Sequence, residues 1–357
     1  MTDRQSPVDN FVLRNFRLIR TIVVILLGWF LAALVILAIS RDRGTTLRSF
    51  FLGPLSSRVL IGSLFETMTP LVFTGLALAI QFQAKQFNLG AEGCFFIGAT
   101  VGTAFAISTR MPTALHIVCT IAVGAAAGAA WNWLPGYLKA KYGSSELVCS
   151  LMLNYVALYL GLYLINYHFR DTAANEMTSY RLPTTATLPR ILPGTRLHIG
   201  FLIALAVAVL FWVFLYRTKW GYQIRMVGSN INFAKANGIN TGRVIVLAQV
   251  IGGAVAGLGG IIQIMGIDQR FLYESLPGFG FDGIVVTRIA LNNPLLVIPS
   301  ALFLAYLKVG GSYMNLMGDV PAELVNVVEG VIILLISSEA LLETWRYRIM
   351  MRKASER

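Results

Sequence analysis

Ten apolar segments run through this chain and constrain its fold more than any other feature. They lie near residues 21–39, 58–82, 93–108, 114–134, 146–168, 197–216, 244–266, 279–292, 294–309 and 321–342. A helix of about 20 apolar residues crosses the hydrocarbon core of a bilayer. Segments 93–108 and 279–292 are shorter, which is typical of half-helices or re-entrant pieces. The pattern predicts an all-α polytopic membrane protein with about 10 transmembrane helices, or 8 to 10 depending on the short segments.

Composition supports this class and excludes others. The 357 residues are 56% hydrophobic and only 13% charged, with a mean hydropathy of +0.68. These values exclude a disordered chain, a coiled coil, collagen and a small disulfide scaffold. The net charge of +12 does not indicate nucleic-acid binding, because most Lys and Arg residues flank apolar segments.

The distribution of Lys and Arg predicts the orientation. With the N-terminus inside, alternate loops place 17 of them on the cytoplasmic side and 11 on the other, the latter including Lys308. We therefore expect cytoplasmic tails at 1–20 and 343–357 and a transmembrane domain over 21–342. Within that domain, loop 168–196 is expected to be external, irregular and exposed, and loop 217–243 to be cytoplasmic.

Several polar side chains interrupt the apolar segments, and each charge at a helix centre costs roughly 2.5–3.5 kcal/mol on insertion scales. They must therefore face protein or water. As a set they predict the lining of a polar pathway; for any one of them, an interhelical hydrogen bond is the structural alternative. The pathway candidates are Asn88, Glu92, Asn154, Asp282, Arg288, Asn326 and Glu329. Glu323, Asn326 and Glu329 are spaced by three and form one predicted helical stripe.

Motifs for chemistry are absent from the sequence. It has no G-x-x-x-x-G-K-[ST] phosphate loop, no G-x-S-x-G elbow and no metal-ligand spacing. The chain is therefore expected not to be an enzyme and to bind no metal or cofactor itself.

The cytoplasmic loop 217–243 predicts a docking device. Its centre, Asn230–Ala236, is a short amphipathic helical pattern between Gly228 and Gly238. An ordinary basic loop is the alternative that composition alone leaves open.

At this loop the chain resembles the permease subunits of ATP-binding-cassette importers in the branched-chain amino acid, ribose and nucleoside permease family. The motifs that carry the resemblance are FNLGAEG at 87–93, SELVCSLMLNY at 145–155, GYQIRMVGSN and NFAKANGI within 221–239, GGAVAGLGG at 252–260 and GFGFDGIVV at 278–286. With the tail DVPAELVNVVEGVIILL, the chain is most similar to the longer permease of nucleoside importers that use a basic-membrane-protein-type receptor.

This resemblance implies a multi-pass protein of the bacterial inner membrane that translocates a small polar solute, expected to be a nucleoside, by alternating access. The partners it implies are a cytoplasmic ATPase that binds ATP and Mg, a second homologous permease in a heterodimer, and an external binding protein or lipoprotein. Residues that match the family's ATPase-coupling loop are Gly221, Arg225, Gly228, Asn230, Ala234, Gly238 and Ile239.

Some positions depart from the family pattern and leave the substrate open. Cys94 replaces a usual Gln, and Thr287 and Arg288 replace small or apolar residues. A buried Arg suits an anionic or carbonyl-rich ligand, or it pairs with Asp282 or Glu92 to hold helices together. A ribose-like sugar or a flavin-like vitamin is the alternative solute. An intramembrane enzyme or a receptor without transport is the alternative from another class.

Overall fold

The computed structural model describes residues 22, 25–174, 176–318, 320–321, 323–327 and 330–331, and this part of the chain is helical with irregular connections. Apolar segments form helices here because hydrocarbon offers no partner for backbone N–H and C=O groups. The helices are α1 Ile25–Ile39, α2 Arg43–Leu52, α3 Arg58–Gln83, α4 Ala91–Ser108, α5 Thr113–Tyr142, α6 Glu146–Leu164, α7 Gly200–Arg217, α8 Lys219–Ser229, α9 Ile231–Ala236, α10 Thr241–Gln263, α11 Phe279–Ile289 and α12 Pro294–Met317.

Seven of the described helices are long and apolar enough to cross a membrane: α3, α4, α5, α6, α7, α10 and α12. Helix α1 is apolar but shorter. The prediction of a short segment near 279–292 is confirmed, because α11 has only 11 residues. By contrast, α4 reaches 18 residues and qualifies as a span. The tenth predicted segment, 321–342, lies mostly outside the described residues.

The larger of two compact units, Pro54–Val309, is organised around α10, which packs on α3, α4 and α5. Glycines make this packing close. The Cα of Gly257 lies where a Cβ on Gly98 would be, and the carbonyl oxygen of Gly253 blocks a Cβ on Gly128. Small residues at such crossings let helix backbones approach in a membrane, where packing, not hydrophobicity, drives association. The core is therefore a backbone-to-backbone contact of three helices.

The other unit contains, in its described part, α1, α2 and the end of α12. The Trp29 ring stacks on Phe51 at a centroid distance of 5.0 Å and meets the edge of Phe50 at 6.0 Å. Gly53 lies directly against the Tyr313 ring. Aromatic contacts thus hold the short helices of this unit together.

The segment after α6 is irregular, as predicted, but the prediction that it is exposed is wrong for half of its length. Backbone N–H groups of Ser179, Leu182 and Leu188 donate to the carbonyls of Phe271, Gln269 and Met265, at 2.9, 2.8 and 3.0 Å. Ala186 and Leu188 are buried. Residues 179–188 therefore pack along residues 265–271, which directly follow α10.

Candidate functional site

An amide cluster lies where the loop after α3 enters the membrane domain. The Asn88 side chain donates to the Asn132 side-chain oxygen at 2.8 Å and also to the side-chain oxygen of Gln249. Asn132 donates in turn to the Gln249 backbone carbonyl at 2.8 Å. All three side chains are buried. This cluster of Asn88, Asn132 and Gln249 joins the loop to α5 and α10 through directional bonds, which compensate for the cost of burying amides.

Asn154 on α6 makes a second bridge to the same loop. Its side-chain nitrogen donates to the Leu89 carbonyl and its oxygen accepts from the Gly93 N–H, both at 2.9 Å. Both hydrogen bonds are of the kind expected for a residue that holds helices together. Asn88 and Asn154 thus form interhelical hydrogen bonds, which the sequence analysis gave as the alternative to lining a pathway.

Glu92 connects α4 to the start of α11. Its carboxylate accepts from the backbone N–H of Gly278 at 2.6 Å and from that of Gly280. The N-terminal N–H groups of a helix have no intrahelical acceptor and carry the positive end of the helix dipole, so a carboxylate there satisfies both needs. Gly278 has φ +87°, a left-handed conformation that favours glycine and turns the chain into α11.

Asp282 forms an ion pair with Lys308 at 2.7 Å. The pairing of Arg288 with Asp282 or Glu92, left open by the sequence, is therefore not found. Lys308 was expected in an external loop, but α12 extends to Met317 and places this residue inside the helix. The ninth apolar segment, predicted to end at residue 309, continues as helix to Met317, and the ion pair with Asp282 compensates the charge of Lys308 within it.

Arg288 instead faces two aromatic rings. Its guanidinium carbon is 4.9 Å from the ring centre of Phe82 and 5.2 Å from that of Phe87. Nearby, the Gln83 side chain donates to the Asn292 carbonyl at 3.0 Å. These contacts join the end of α11 to the end of α3 by cation–π and hydrogen-bond interactions.

The remaining pathway candidates lie in the last segment. Asn326 is exposed, as is Glu323, whereas Glu329 lies outside the described residues. The structure therefore brings together Asn88, Glu92 and Asn154 around the start of α4 and places Asp282 and Arg288 at opposite ends of α11. The stripe formed with Asn326 and Glu329 stays a prediction.

The predicted docking loop folds as two short helices, α8 and α9. Thr218 caps α8 by accepting from the Gly221 N–H at 3.1 Å, and Asn230 caps α9 by accepting from Asn232 and Phe233 at 3.0 and 3.1 Å. Gly238 ends α9 with φ +75°. The predicted helix between two glycines is confirmed, with Ala234 buried and Ile239 donating to its carbonyl at 3.1 Å.

One side of this coupling segment, residues 217–243, packs on the membrane helices. Ile224, Val227 and Ala234 join a buried cluster with Ile80 and Ala84. Gly228 does not have positive φ; it is required because the Gln83 carbonyl oxygen occupies the space of a Cβ. Two polar contacts complete the packing: Lys85 donates to the Ser229 carbonyl at 3.4 Å, and Arg225 stacks over the Tyr216 ring at 5.0 Å.

The rest of the coupling segment is exposed and carries both polar and apolar residues. Among the apolar ones, Trp220, Tyr222, Ile231 and Phe233 present much of their surface. Exposed aromatic residues grouped on one small element are typical of a protein interface.

Sequence reasoning missed Asn132, Gln249 and Lys308. Each is a lone polar residue in an apolar run, so the argument that flagged Asn88 and Asn154 would also have found them. Within the described ranges, no group of three or more His, Cys, Asp or Glu side chains could hold a metal ion.

Comparison of the sequence with known proteins identifies its family. Residues 60–337 match the family described as branched-chain amino acid transport system, permease component. The glucose ABC transporter permease protein TsgB13 of Haloferax volcanii is 32% identical over 89% of this chain and 87% of its own. The guanosine permease NupP of Bacillus subtilis is 31% identical over 92% and 95%, and the nucleoside permease NupB of Lactococcus lactis is 29% identical over 94% and 94%.

No solved structure matches the chain significantly. The family match covers most of the sequence, and its members are multi-pass proteins of the cell membrane without catalytic activity that work with an ATPase and a binding protein. The chain therefore belongs to the branched-chain amino acid transport system permease family, the membrane-spanning subunits of ATP-binding-cassette importers.

Proposed function

We propose that this chain is the permease of a nucleoside importer in which α8 and α9 receive the force of a partner ATPase. The observation that carries the proposal is the packing of the coupling segment. It is fixed to α3 by the close contact of Gly228 with Gln83, while Trp220 and Phe233 remain exposed. A rigid element with exposed aromatic rings can bind a partner and transmit its movement to the helices behind it.

The contacts behind the coupling segment lead to the polar residues. Lys85 bonds α8 to the loop after α3, and Phe87 in that loop contacts Arg288 at the end of α11. Helix α11 is bonded at its start to Glu92. Movement of α8 and α9 would thus reach α4 and α11, where we propose that Asn88, Glu92, Asn154, Asp282 and Arg288 border the solute pathway, with Asn326 and Glu329 contributed by the last segment.

The charge distribution supports an orientation with both tails and the coupling segment in the cytoplasm and residues 168–196 outside. ATP and Mg would then be bound only by the partner ATPase. A second, homologous permease and an external receptor or lipoprotein complete the proposed importer.

The names of the relatives point to three solute classes: nucleosides, a sugar and a flavin vitamin. Permeases named for guanosine and nucleosides match at 31% and 29% identity, and one named for glucose matches at 32%. A permease named for riboflavin import, RfuC of Treponema pallidum, matches at 25%. Nucleosides are the first candidate because two of the three most similar relatives named here carry them; a sugar is the second.

Transport by the assembled importer tests this proposal. The chain is co-expressed with its ATPase, second permease and receptor in cells without nucleoside uptake, and entry of labelled guanosine is compared with that of glucose and ribose. Saturable guanosine entry that requires the ATPase is expected. Glucose entry alone would move the assignment to sugars, and no entry of any of them would contradict both classes.

A matched pair of variants tests the coupling surface. Phe233→Ala removes an exposed ring of α9, and Val209→Ala shortens a similarly exposed side chain of α7. We expect Phe233→Ala to weaken ATPase co-purification about tenfold or more, as loss of a central aromatic anchor does. Val209→Ala should leave it unchanged. Equal retention of the ATPase by both variants would contradict the docking role.

A further inference from the structure

A cavity of about 610 Å³ opens where α7 ends and α8 begins. Three of the side chains that line this basic cavity are cations, Arg217, Lys219 and Arg225, and none is an acid. Within the described part of the chain, none of these three cations forms an ion pair. The basic cavity therefore has no carboxylate of its own to balance its positive charge.

Contacts around the basic cavity hold its cations in place. The Arg225 guanidinium lies over the Tyr216 ring at 5.0 Å, and that of Arg217 lies 5.9 Å from the ring centre of Trp212. The Nε atom of Arg225 is buried and has no hydrogen-bond partner among the described residues. Lys219 is the first residue of α8, so the positive end of that helix dipole adds to the charge. Like charges that converge on one cleft attract an anion.

Other cations of the same region do not form such a site. The coupling segment has five Lys or Arg residues and no Asp or Glu. One of them, Lys235, is exposed on α9 and lies outside the basic cavity. Lys139, at the end of α5, is neutralised by Glu146 at 2.8 Å. A solvated or paired cation needs no ligand, whereas the three cations of the basic cavity face one shared space.

The basic cavity lies at the end of a membrane-spanning helix. Helix α7 is one of seven candidate spans, and Arg217 is its last residue. Three aromatic residues, Trp212, Tyr216 and Trp220, follow one another here at intervals of four. Trp and Tyr concentrate where a membrane meets water. The basic cavity is therefore at the level of the lipid headgroups, where phosphate groups are abundant.

The surface of α7 leads from the basic cavity into the hydrocarbon. Leu210 and Val213 are 63% and 41% exposed, and they lie two turns and one turn before Arg217. Residues at these spacings share one face of a helix. A molecule with its phosphate in the basic cavity can therefore place acyl chains beside these aliphatic side chains.

We propose that the basic cavity binds the phosphate of an anionic membrane phospholipid whose acyl chains lie along α7. Arginine presents parallel N–H groups that match phosphate oxygens, and lysine adds a compact charge. The neutral lining residues Tyr222 and Gln223 can bond the hydroxyl groups of a glycerol headgroup. Basic pockets beside spanning helices are typical sites for anionic headgroups. The lipid site requires α7 in a membrane but no particular solute, so its test is separate from that of nucleoside transport.

A lipid in this position connects the membrane to the coupling segment. The walls of the basic cavity come from α7, from α8 and from Asn237 and Ile239 after α9. Asn237 is itself held by donating to the Phe233 carbonyl at 2.8 Å. One headgroup therefore contacts both short helices and the span behind them. We expect ATP hydrolysis by the assembled importer to depend on anionic lipid.

Photolabelling of the assembled importer tests the lipid site. The complex is placed in phosphatidylcholine nanodiscs with a trace of phosphatidylglycerol that carries a photoreactive diazirine in an acyl chain, and mass spectrometry locates the label. We expect label on α7 around Leu210 and Val213. The zwitterionic phosphatidylcholine probe with the same chain should label these residues at least about tenfold less. Equal labelling by the two probes would overturn the proposal.

Matched charge removals show whether the basic cavity is responsible. Arg217→Gln combined with Lys219→Gln removes two exposed cations of the cavity, and Lys235→Gln removes one outside it. We expect the double variant to lower labelling by phosphatidylglycerol about tenfold or more, and Lys235→Gln to leave it unchanged. Co-purification of the ATPase and the second permease shows that each variant assembles. If the double variant does not, Arg217→Gln alone gives the same comparison. An equal loss from Lys235→Gln would indicate diffuse attraction and overturn the site.

Two further arms separate the lipid from other anions. Excess inorganic phosphate at constant ionic strength should not reduce labelling by phosphatidylglycerol; a fall to the phosphatidylcholine level would make the cavity a site for soluble anions. Labelling should also persist when the ATPase is bound. Its loss on ATPase binding would mean that acidic groups of the ATPase fill the cavity. Either result overturns the lipid assignment.

ATP hydrolysis supplies an independent measurement. The importer is compared in nanodiscs of phosphatidylcholine alone and in nanodiscs that also contain phosphatidylglycerol. We expect phosphatidylglycerol to raise hydrolysis by the wild-type importer and to have little effect on the Arg217→Gln, Lys219→Gln variant. A wild-type importer that is indifferent to the lipid would contradict the connecting role. Absence of guanosine uptake would contradict only the proposed solute.

Discussion

The amide cluster and the coupling segment belong to the same unit but are held in position by different interactions. In the amide cluster, Asn88, Asn132 and Gln249 are buried and bonded to one another, so their positions follow from directional hydrogen bonds. In the coupling segment, shape decides the position: Gly228 fits against a backbone carbonyl, and helix caps set the turns. The cluster has no free surface, whereas the coupling segment keeps aromatic residues exposed.

This difference indicates that the amide cluster contributes mainly to folding stability and the coupling segment mainly to partner binding. Removing a partner from a buried polar network leaves unbonded groups in the interior, so the cost appears as lost folding. Changing an element that is positioned by shape displaces it as a body, so the cost appears first as lost association. The following variants test that division, beginning with the one expected to have the largest effect.

Glu92→Leu removes the acceptor for the N–H groups of Gly278 and Gly280. Each unbonded buried donor costs about 1–3 kcal/mol, so we expect a loss of roughly 2–6 kcal/mol of stability. Thermal unfolding of the purified permease in detergent measures it. Glu92→Gln keeps one acceptor oxygen and should lose less. A Leu variant as stable as wild type would show that the carboxylate does not hold α11.

Gly228→Ala tests positioning by shape, with Gly242→Ala as its control. A Cβ at Gly228 collides with the Gln83 carbonyl oxygen, whereas at Gly242 it meets no atom closer than 3.6 Å. Overpacking of this kind costs about 1–3 kcal/mol. We expect Gly228→Ala to lose ATPase co-purification and uptake, and Gly242→Ala to keep both. If the two variants behaved alike, the close contact of Gly228 with Gln83 would not be what positions the coupling segment.

Arg288→Leu should have the smallest effect on stability, about 0.5–2 kcal/mol, because it removes two cation–π contacts and leaves no acid unpaired. Asp282 keeps its partner Lys308 in this variant. Normal assembly with altered uptake is expected if Arg288 borders the pathway, measured as guanosine entry beside the Arg288→Lys control. Wild-type uptake would limit Arg288 to joining α3 and α11, and severe unfolding would contradict the absence of an acidic partner.

Hydropathy predicted the helices well because the cost of unbonded backbone in hydrocarbon leaves few alternatives. The short helix α9 was predictable because glycines flank it in the sequence. The ion pair of Asp282 was not predictable. Asp282 is closer in sequence to Arg288 than to Lys308, and only the packing of α11 on α12 decides between the two partners. The burial of Leu182, Ala186 and Leu188 was also missed, because composition shows which residues are polar but not which chain segment packs on them.

Residues 84–90 connect to five helices. They bond or pack to α8 through Lys85, to α11 through Phe87, to α5 and α10 through Asn88, and to α6 through Leu89, whose N–H donates to Ser150 at 3.0 Å. Each bond requires its residue at one position along the path. Adding or deleting a single residue here would shift every later contact out of register, whereas the tip at Gly194, with open space around it, should accept an inserted tag.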